Sequence, residues 1–173
     1  IDVLLNKTRI AYLSILKKMG GKIKIKKTKI QSGEQLGTIT VLASSLRGIN
    51  IPANLSPYLI DEYPILSVAA ARAKGTTVMK GLDELRYKES DRIKEMQKIL
   101  RQIGIKTRTS KNEMKIYGNP DLNIHNKKIY VSGVLDHRIL MSSSILSLLT
   151  GIEASLKNFE QVKSSCPNFL STI

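Results

Sequence analysis

A single cysteine, Cys166, serves the whole chain, so no internal disulfide is available. That usage fits a reducing cytoplasm, and Cys166 itself is expected to be a small buried apolar residue. Tryptophan is absent and aromatics make up only 5% of residues. The few Tyr and Phe are not interleaved with the lysine runs, so they form no stacking platform for nucleic acid. No apolar run reaches the ~18 residues a membrane-spanning helix needs. The opening Ile1-Asp2-Val3-Leu4-Leu5-Asn6-Lys7 has neither the charged start nor the cleavage site of a secretion signal. It also has no initiator Met, and the chain is expected to be a piece of something longer. The two histidines, His125 and His137, lack the spacing of a metal pair, and neither metal nor cofactor is expected.

Acidic residues are scarce too: 14 against 28 basic ones, a net charge of +14. That balance points to an anionic partner, whether nucleic acid, membrane surface or phosphorylated metabolite. The 28 divide into 20 Lys and 8 Arg. Lysine commonly coats a solvated face, whereas arginine is the planar fork for carboxylate and phosphate, so the positions of the arginines carry more information. What is present in ordinary measure is apolar: 42% of 173 residues, enough for one domain with a real core.

Residues 8–19 carry Ile10, Leu13, Leu16 and Met19 at helical spacing, and Gly20-Gly21 ends the run. Lys22-Ile23-Lys24-Ile25-Lys26 then alternates as a strand with one lysine-covered face, and residues 38–42 read as another strand. The plan recurs with Ile93, Met96, Leu100 and Ile103, a stop at Gly104, and alternation over residues 105–109. A second pattern also occurs twice. Asp61 precedes a helix expected to end at Gly75 and a strand at residues 76–79; Asp136 precedes a helix ending near Gly151 and a strand at residues 152–156. Their starts lie 75 residues apart and the first pattern's stops 84 apart, so the prediction is an α/β domain of repeated units, against chance recurrence of helix-stop chemistry. Both helices of the second pattern are nearly free of charge, which places them inside, with the lysine-faced strands outside.

The chemistry concentrates at helix starts. In Glu84-Leu85-Arg86-Tyr87-Lys88-Glu89-Ser90-Asp91-Arg92, cations crowd an end that already bears positive partial charge. This is either an anion pocket with a carboxylate beside it or a solvated turn in which Glu89 and Asp91 neutralise the cations. A helical continuation back through Lys88 would put it on one face with Arg92. Asp136-His137-Arg138 repeats the arrangement, with Asp136 readable as a plain N-cap. Asp61 has the same plain reading, with Pro64 in the first turn. Three helix starts carrying ionisable groups would converge if the helices run parallel.

These residues resemble 5-enolpyruvylshikimate-3-phosphate synthases. The resemblance runs from Leu5-Asn6-Lys7-Thr8-Arg9 and Leu16-Lys17-Lys18-Met19-Gly20 through Asp61, Ala69-Ala70-Ala71, Gly75-Thr76-Thr77 and Lys88-Glu89-Ser90-Asp91-Arg92-Ile93. It continues to Asp136-His137-Arg138-Ile139 and Pro167-Asn168-Phe169, covering essentially the whole chain. It implies repeated βαβαββ units with buried parallel helices and outward-facing sheets, residues 1–173 being one C-terminal domain of a two-domain enzyme whose N-terminal half is absent. It implies transfer of the enolpyruvyl group of phosphoenolpyruvate to the 5-hydroxyl of shikimate 3-phosphate, releasing phosphate, in a cytoplasmic monomer with no nucleic-acid or membrane partner. In that scheme Asp61 is acid/base and contacts the shikimate ring, Lys88 binds the shikimate phosphate, and Glu89 assists proton transfer. Arg92 and Arg138 hold phosphoenolpyruvate, with His137 beside them and Lys163 one position early for the family's terminal lysine. Lacking the N-terminal half, the chain is expected to be inactive alone. The rival readings are a basic nucleic-acid-binding module, an enolpyruvyl transferase acting on a nucleotide sugar, and a non-catalytic remnant.

Overall fold

In a computed structural model the chain is described over residues 3–122 and 126–173, so His125 lies outside the described residues. The alternating lysine strand runs further than its sequence pattern, as β2 (Lys22–Gln31), and folds back as β3 (Glu34–Leu42). Ser32 and Gly33, both with positive φ, make the two-residue turn that such a hairpin favours. Ile23 and Ile25 face Val41 and Ile39 across the pair, and Lys22, Lys24 and Lys26 take the opposite face. The short β1 (Val3–Leu4) pairs with β3, giving the order β1-β3-β2, and α1 (Ala11–Lys18) connects β1 to β2.

The middle of the chain forms one complete βαβαββ unit: β4 (Asn50–Ile51), α2 (Tyr63–Ala71), β5 (Gly75–Lys80), α3 (Arg92–Gln102), β6 (Lys106–Thr109) and β7 (Glu113–Gly118). Its strands lie in the order β4-β5-β7-β6, with β4 parallel to β5 and the remaining pairs antiparallel. The flanking segments are parts of the same plan. The succession β1, α1, β2, β3 repeats β5, α3, β6, β7, sheet order included. The parallel pair β8 (Lys128–Val131) and β9 (Glu153–Leu156), joined by α4 (His137–Thr150), repeats β4, α2, β5. Both sequence repeats are therefore structural repeats.

The core follows from the uncharged helices. Leu66, Val68, Ala70 and Ala71 of α2 are buried, and so are Ile139, Leu140 and Leu146 of α4. The two helices pack on each other, with α3 against both. Serines in α4 cost little inside because Ser143 and Ser144 donate to the carbonyls of Ile139 and Leu140 four residues back. The short α5 (Phe169–Thr172) follows a 3-10 turn at Phe159–Ser164. Cys166 is half-buried against the core rather than fully inside it.

Two expectations need correction. Gly151 does end α4, in the left-handed conformation, but Gly75 does not end α2. That helix closes at Ala71 with Arg72 as its cap, and Gly75, at φ +91°, begins β5. The other concerns the helix over residues 8–19, which is shorter than its apolar spacing, since Asn6 holds the chain in a turn up to Ile10.

Candidate active site

The starts of α2, α3 and α4 meet, because Asp61, Arg92 and Asp136 touch there. Arg92, the first residue of α3, is only 2% exposed, and its guanidinium faces three carboxylates. Nε donates to Asp136 Oδ2 at 2.8 Å, Nη1 to Asp61 Oδ1 at 3.3 Å, and Nη2 to Glu89 Oε2 at 2.5 Å. Burial works against its charged form, but the hydrogen bond and charge of Asp136, then Glu89 and Asp61, outweigh that and strengthen its hold on the proton. Helix α3 tolerates a cation at its positive end because Asp91 caps it, accepting from the Lys94 N–H at 2.9 Å.

Asp136 caps α4, accepting from the Arg138 N–H at 3.0 Å, and it does more than cap. Fully buried, it also accepts from Ser90 Oγ at 3.0 Å and from Arg92. Asp61 is not a cap. The residue at the head of α2 is Glu62, which makes no side-chain capping bond, and the Asp61 carboxylate turns instead to arginines. Arg138 Nη2 lies 3.1 Å from Asp61 Oδ2, while its Nη1 donates to the Asp61 carbonyl oxygen at 2.9 Å. Asp61 and Arg138 are each about a quarter exposed and line a narrow cleft of about 210 Å³ beside Phe169. This is a carboxylate fixed among guanidinium groups on rigid helix starts, an arrangement that can hold an anion and move a proton at little reorganisation cost.

The remaining sequence candidates are placed unevenly. Lys88 does not share a helical face with Arg92; it stands in extended conformation before α3 begins, exposed and without an ion pair among the described residues. Glu89 is at the mouth of the cluster through its bond to Arg92. His137 is the half-buried first residue of α4, and Lys163 sits exposed on the late 3-10 turn, outside the cluster's hydrogen bonds and ion pairs.

Sequence reasoning passed over Arg9, whose Nη1 stands 3.9 Å from Asp61 Oδ2. It also passed over Glu62, whose proton affinity is raised by burial and by Asp61 against the pull of Arg138 and Arg9. The scarcity of arginine was a usable signal for the first. Nothing in the spacing distinguished Glu62. Among the described residues, no group of His, Cys, Asp or Glu is arranged to hold a metal ion.

The α/β fold that positions this cluster is the fold of enolpyruvyl transferase structures. An enolpyruvyl transferase of Streptomyces tendae shares the fold at TM-score 0.59 and 18% identity, over 92% of this chain and 33% of that one. The particular family is clearer still. The family described as EPSP synthase (3-phosphoshikimate 1-carboxyvinyltransferase) matches residues 2–173, and the chain belongs to it. An EPSP synthase structure from Acinetobacter baumannii aligns at TM-score 0.83 and 34% identity, covering 98% of this chain and 39% of that one. The 3-phosphoshikimate 1-carboxyvinyltransferases of Clostridium tetani and Caldicellulosiruptor saccharolyticus are 39% and 42% identical over 98% and 97% of this chain. The chain spans 38% of the length of each of these two relatives.

Proposed function

We propose that the chain is the C-terminal domain of a two-domain 3-phosphoshikimate 1-carboxyvinyltransferase and supplies one wall of its substrate site. The observation that carries this is the Asp61 carboxylate held between Arg138 and Arg92 where three buried helices begin. In the reaction the 5-hydroxyl oxygen of shikimate 3-phosphate bonds to phosphoenolpyruvate, and phosphate leaves. Asp61 is the acid/base beside the shikimate ring, and Glu89 serves proton transfer at the phosphoenolpyruvate methylene. Arg138 and Arg92 take the carboxylate and phosphate of phosphoenolpyruvate, with His137 next to them. Exposed Lys88 is free to meet the shikimate phosphate, and Lys163 would need the late turn to close inward. Two polyanions repel each other, so fixed cations on both walls are needed to hold them together.

The domain reading is supported by the repeat. Among the described residues, the first unit has the counterparts of β5, α3, β6 and β7 but none of β4 and α2, and the last shows β8, α4 and β9. A largely apolar cavity of about 720 Å³ lies among α1, α2 and α4, beside Leu16, Leu66 and Ile145. In this reading the N-terminal half of the enzyme supplies the opposing cations.

Titration with phosphoenolpyruvate and shikimate 3-phosphate, followed by amide chemical shifts, tests the site. Shifts at the starts of α2, α3 and α4 are expected. Shifts confined to the lysines of β2, steep in salt and matched by any oligonucleotide, would favour the nucleic-acid reading instead.

A further inference from the structure

Three guanidinium groups meet the Asp61 carboxylate, and they are not equivalent. Arg92 is buried and faces Asp136, Glu89 and Asp61 at once. Arg138 is held by both the carboxylate and the carbonyl oxygen of Asp61. Arg9 has the carboxylate alone, at 3.9 Å, which is beyond hydrogen-bonding distance, and its side chain is 64% exposed. Its five N–H donors are therefore left to solvent or to a ligand.

The charge distribution points the same way. Arg92 is balanced by Asp136 and Glu89 before Asp61 is counted, which leaves one carboxylate for Arg9 and Arg138 together. Glu62, the other acid near these two arginines, makes no ion pair with them among the described residues, and burial first, then Asp61, raise its pKa against the pull of Arg138 and Arg9. The main chain under Arg9 is fixed meanwhile. Asn6 Oδ1 accepts from the N–H and hydroxyl of Thr8 at 2.9 and 2.6 Å, and the Asn6 carbonyl accepts from the N–H of Arg9 and Ile10. A fixed backbone carrying an unsatisfied guanidinium suits a side chain that exchanges one anion for another.

We propose that Arg9 is a further binding residue of the site, turning from Asp61 onto the phosphate or carboxylate of an anionic ligand held at Arg138. The inference rests on the reading of the Asp61 cluster as an anion site. It assigns the segment before α1 a part in substrate capture that neither the Lys88–Arg92 string nor the Asp136–Arg138 string supplies.

The test is titration of the full chain with inorganic phosphate, read from amide chemical shifts, in the parent and in Arg9→Gln, Arg9→Lys and Lys7→Gln. Lys7 carries the same charge two residues away but lines a separate groove with Ile25 and Tyr58. Arg9→Gln should weaken phosphate binding about 3- to 10-fold, the scale of one charge-assisted contact at an exposed site. Lys7→Gln should change it less than about 1.5-fold because exposed charge is screened. Arg9→Lys should recover part of the loss, since it keeps the charge without the fork. Unchanged binding in Arg9→Gln, or equal losses in Arg9→Gln and Lys7→Gln, with binding abolished by Arg138→Gln, would remove Arg9 from the site and leave the anion-site reading standing. Absence of phosphate shifts near Arg138 in the parent would overturn both.

Discussion

Arg92 and Asp136 illustrate how a residue's role is set by what surrounds it. Both are buried, and they pair at 2.8 Å. Removing one partner leaves the other charged and unpaired, so Arg92→Ala should destabilise the fold by roughly 3–5 kcal/mol. Urea unfolding followed by circular dichroism measures this; a loss under about 1 kcal/mol would mean the pair is solvated in practice. Asp61 is a different case. It caps nothing and is partly exposed, so Asp61→Asn should leave the fold in place. In the completed enzyme the same change should lower turnover by about 10²-fold or more, the scale of a positioned proton-transfer group. Near-normal turnover would make Asp61 a structural anchor for the arginines. Sequence spacing left the cap reading of Asp61 open because Asp before an apolar helix is the common signature of a cap. Only the positions of Arg92 and Arg138 in space decide against it.

At the scale of elements, the turn of chain entering α2 is sensitive to pH. The folded protein holds the Glu62 proton more tightly than the unfolded chain does, through burial first and Asp61 second. Below the usual 4.5 both states are protonated; above it the unfolded chain releases its proton first, so this contribution to stability falls as pH rises through the folded value. Glu62→Gln should flatten the dependence of the urea midpoint on pH upward from 4.5, and an unchanged slope would place Glu62 in water. Packing at the other end of α2 depends on a missing side chain. A Cβ on Gly118, which closes β7, would come within 2.2 Å of the Ala73 carbonyl oxygen and 2.3 Å of that of Ala70. Gly118→Ala should therefore cost about 1–3 kcal/mol in thermal or urea unfolding. Helices and strands of both repeats were legible because period 3.6 and period 2 alternate cleanly between Gly20, Gly104 and Gly151. The end of α2 was not, since Ala71-Arg72-Ala73 carries no stop signal and Gly75 looks like one.

As a whole, the described residues form one complete βαβαββ unit flanked by parts of two others, with the ionic cluster on the side where three helices begin. The duplicated spacing revealed the repeat, but it could not reveal that α2 and α4 lie side by side, because contacts between units have no period in sequence. If the cluster is one wall of a two-walled site, this chain alone lacks the cations that draw the second substrate in. The direct measurement is phosphate release from phosphoenolpyruvate in the presence of shikimate 3-phosphate. It would be made with the 173-residue chain alone and after adding the N-terminal half of a 3-phosphoshikimate 1-carboxyvinyltransferase. The account predicts no turnover from the chain alone and turnover once the two halves are mixed. Enzyme-scale turnover by the chain alone would contradict it.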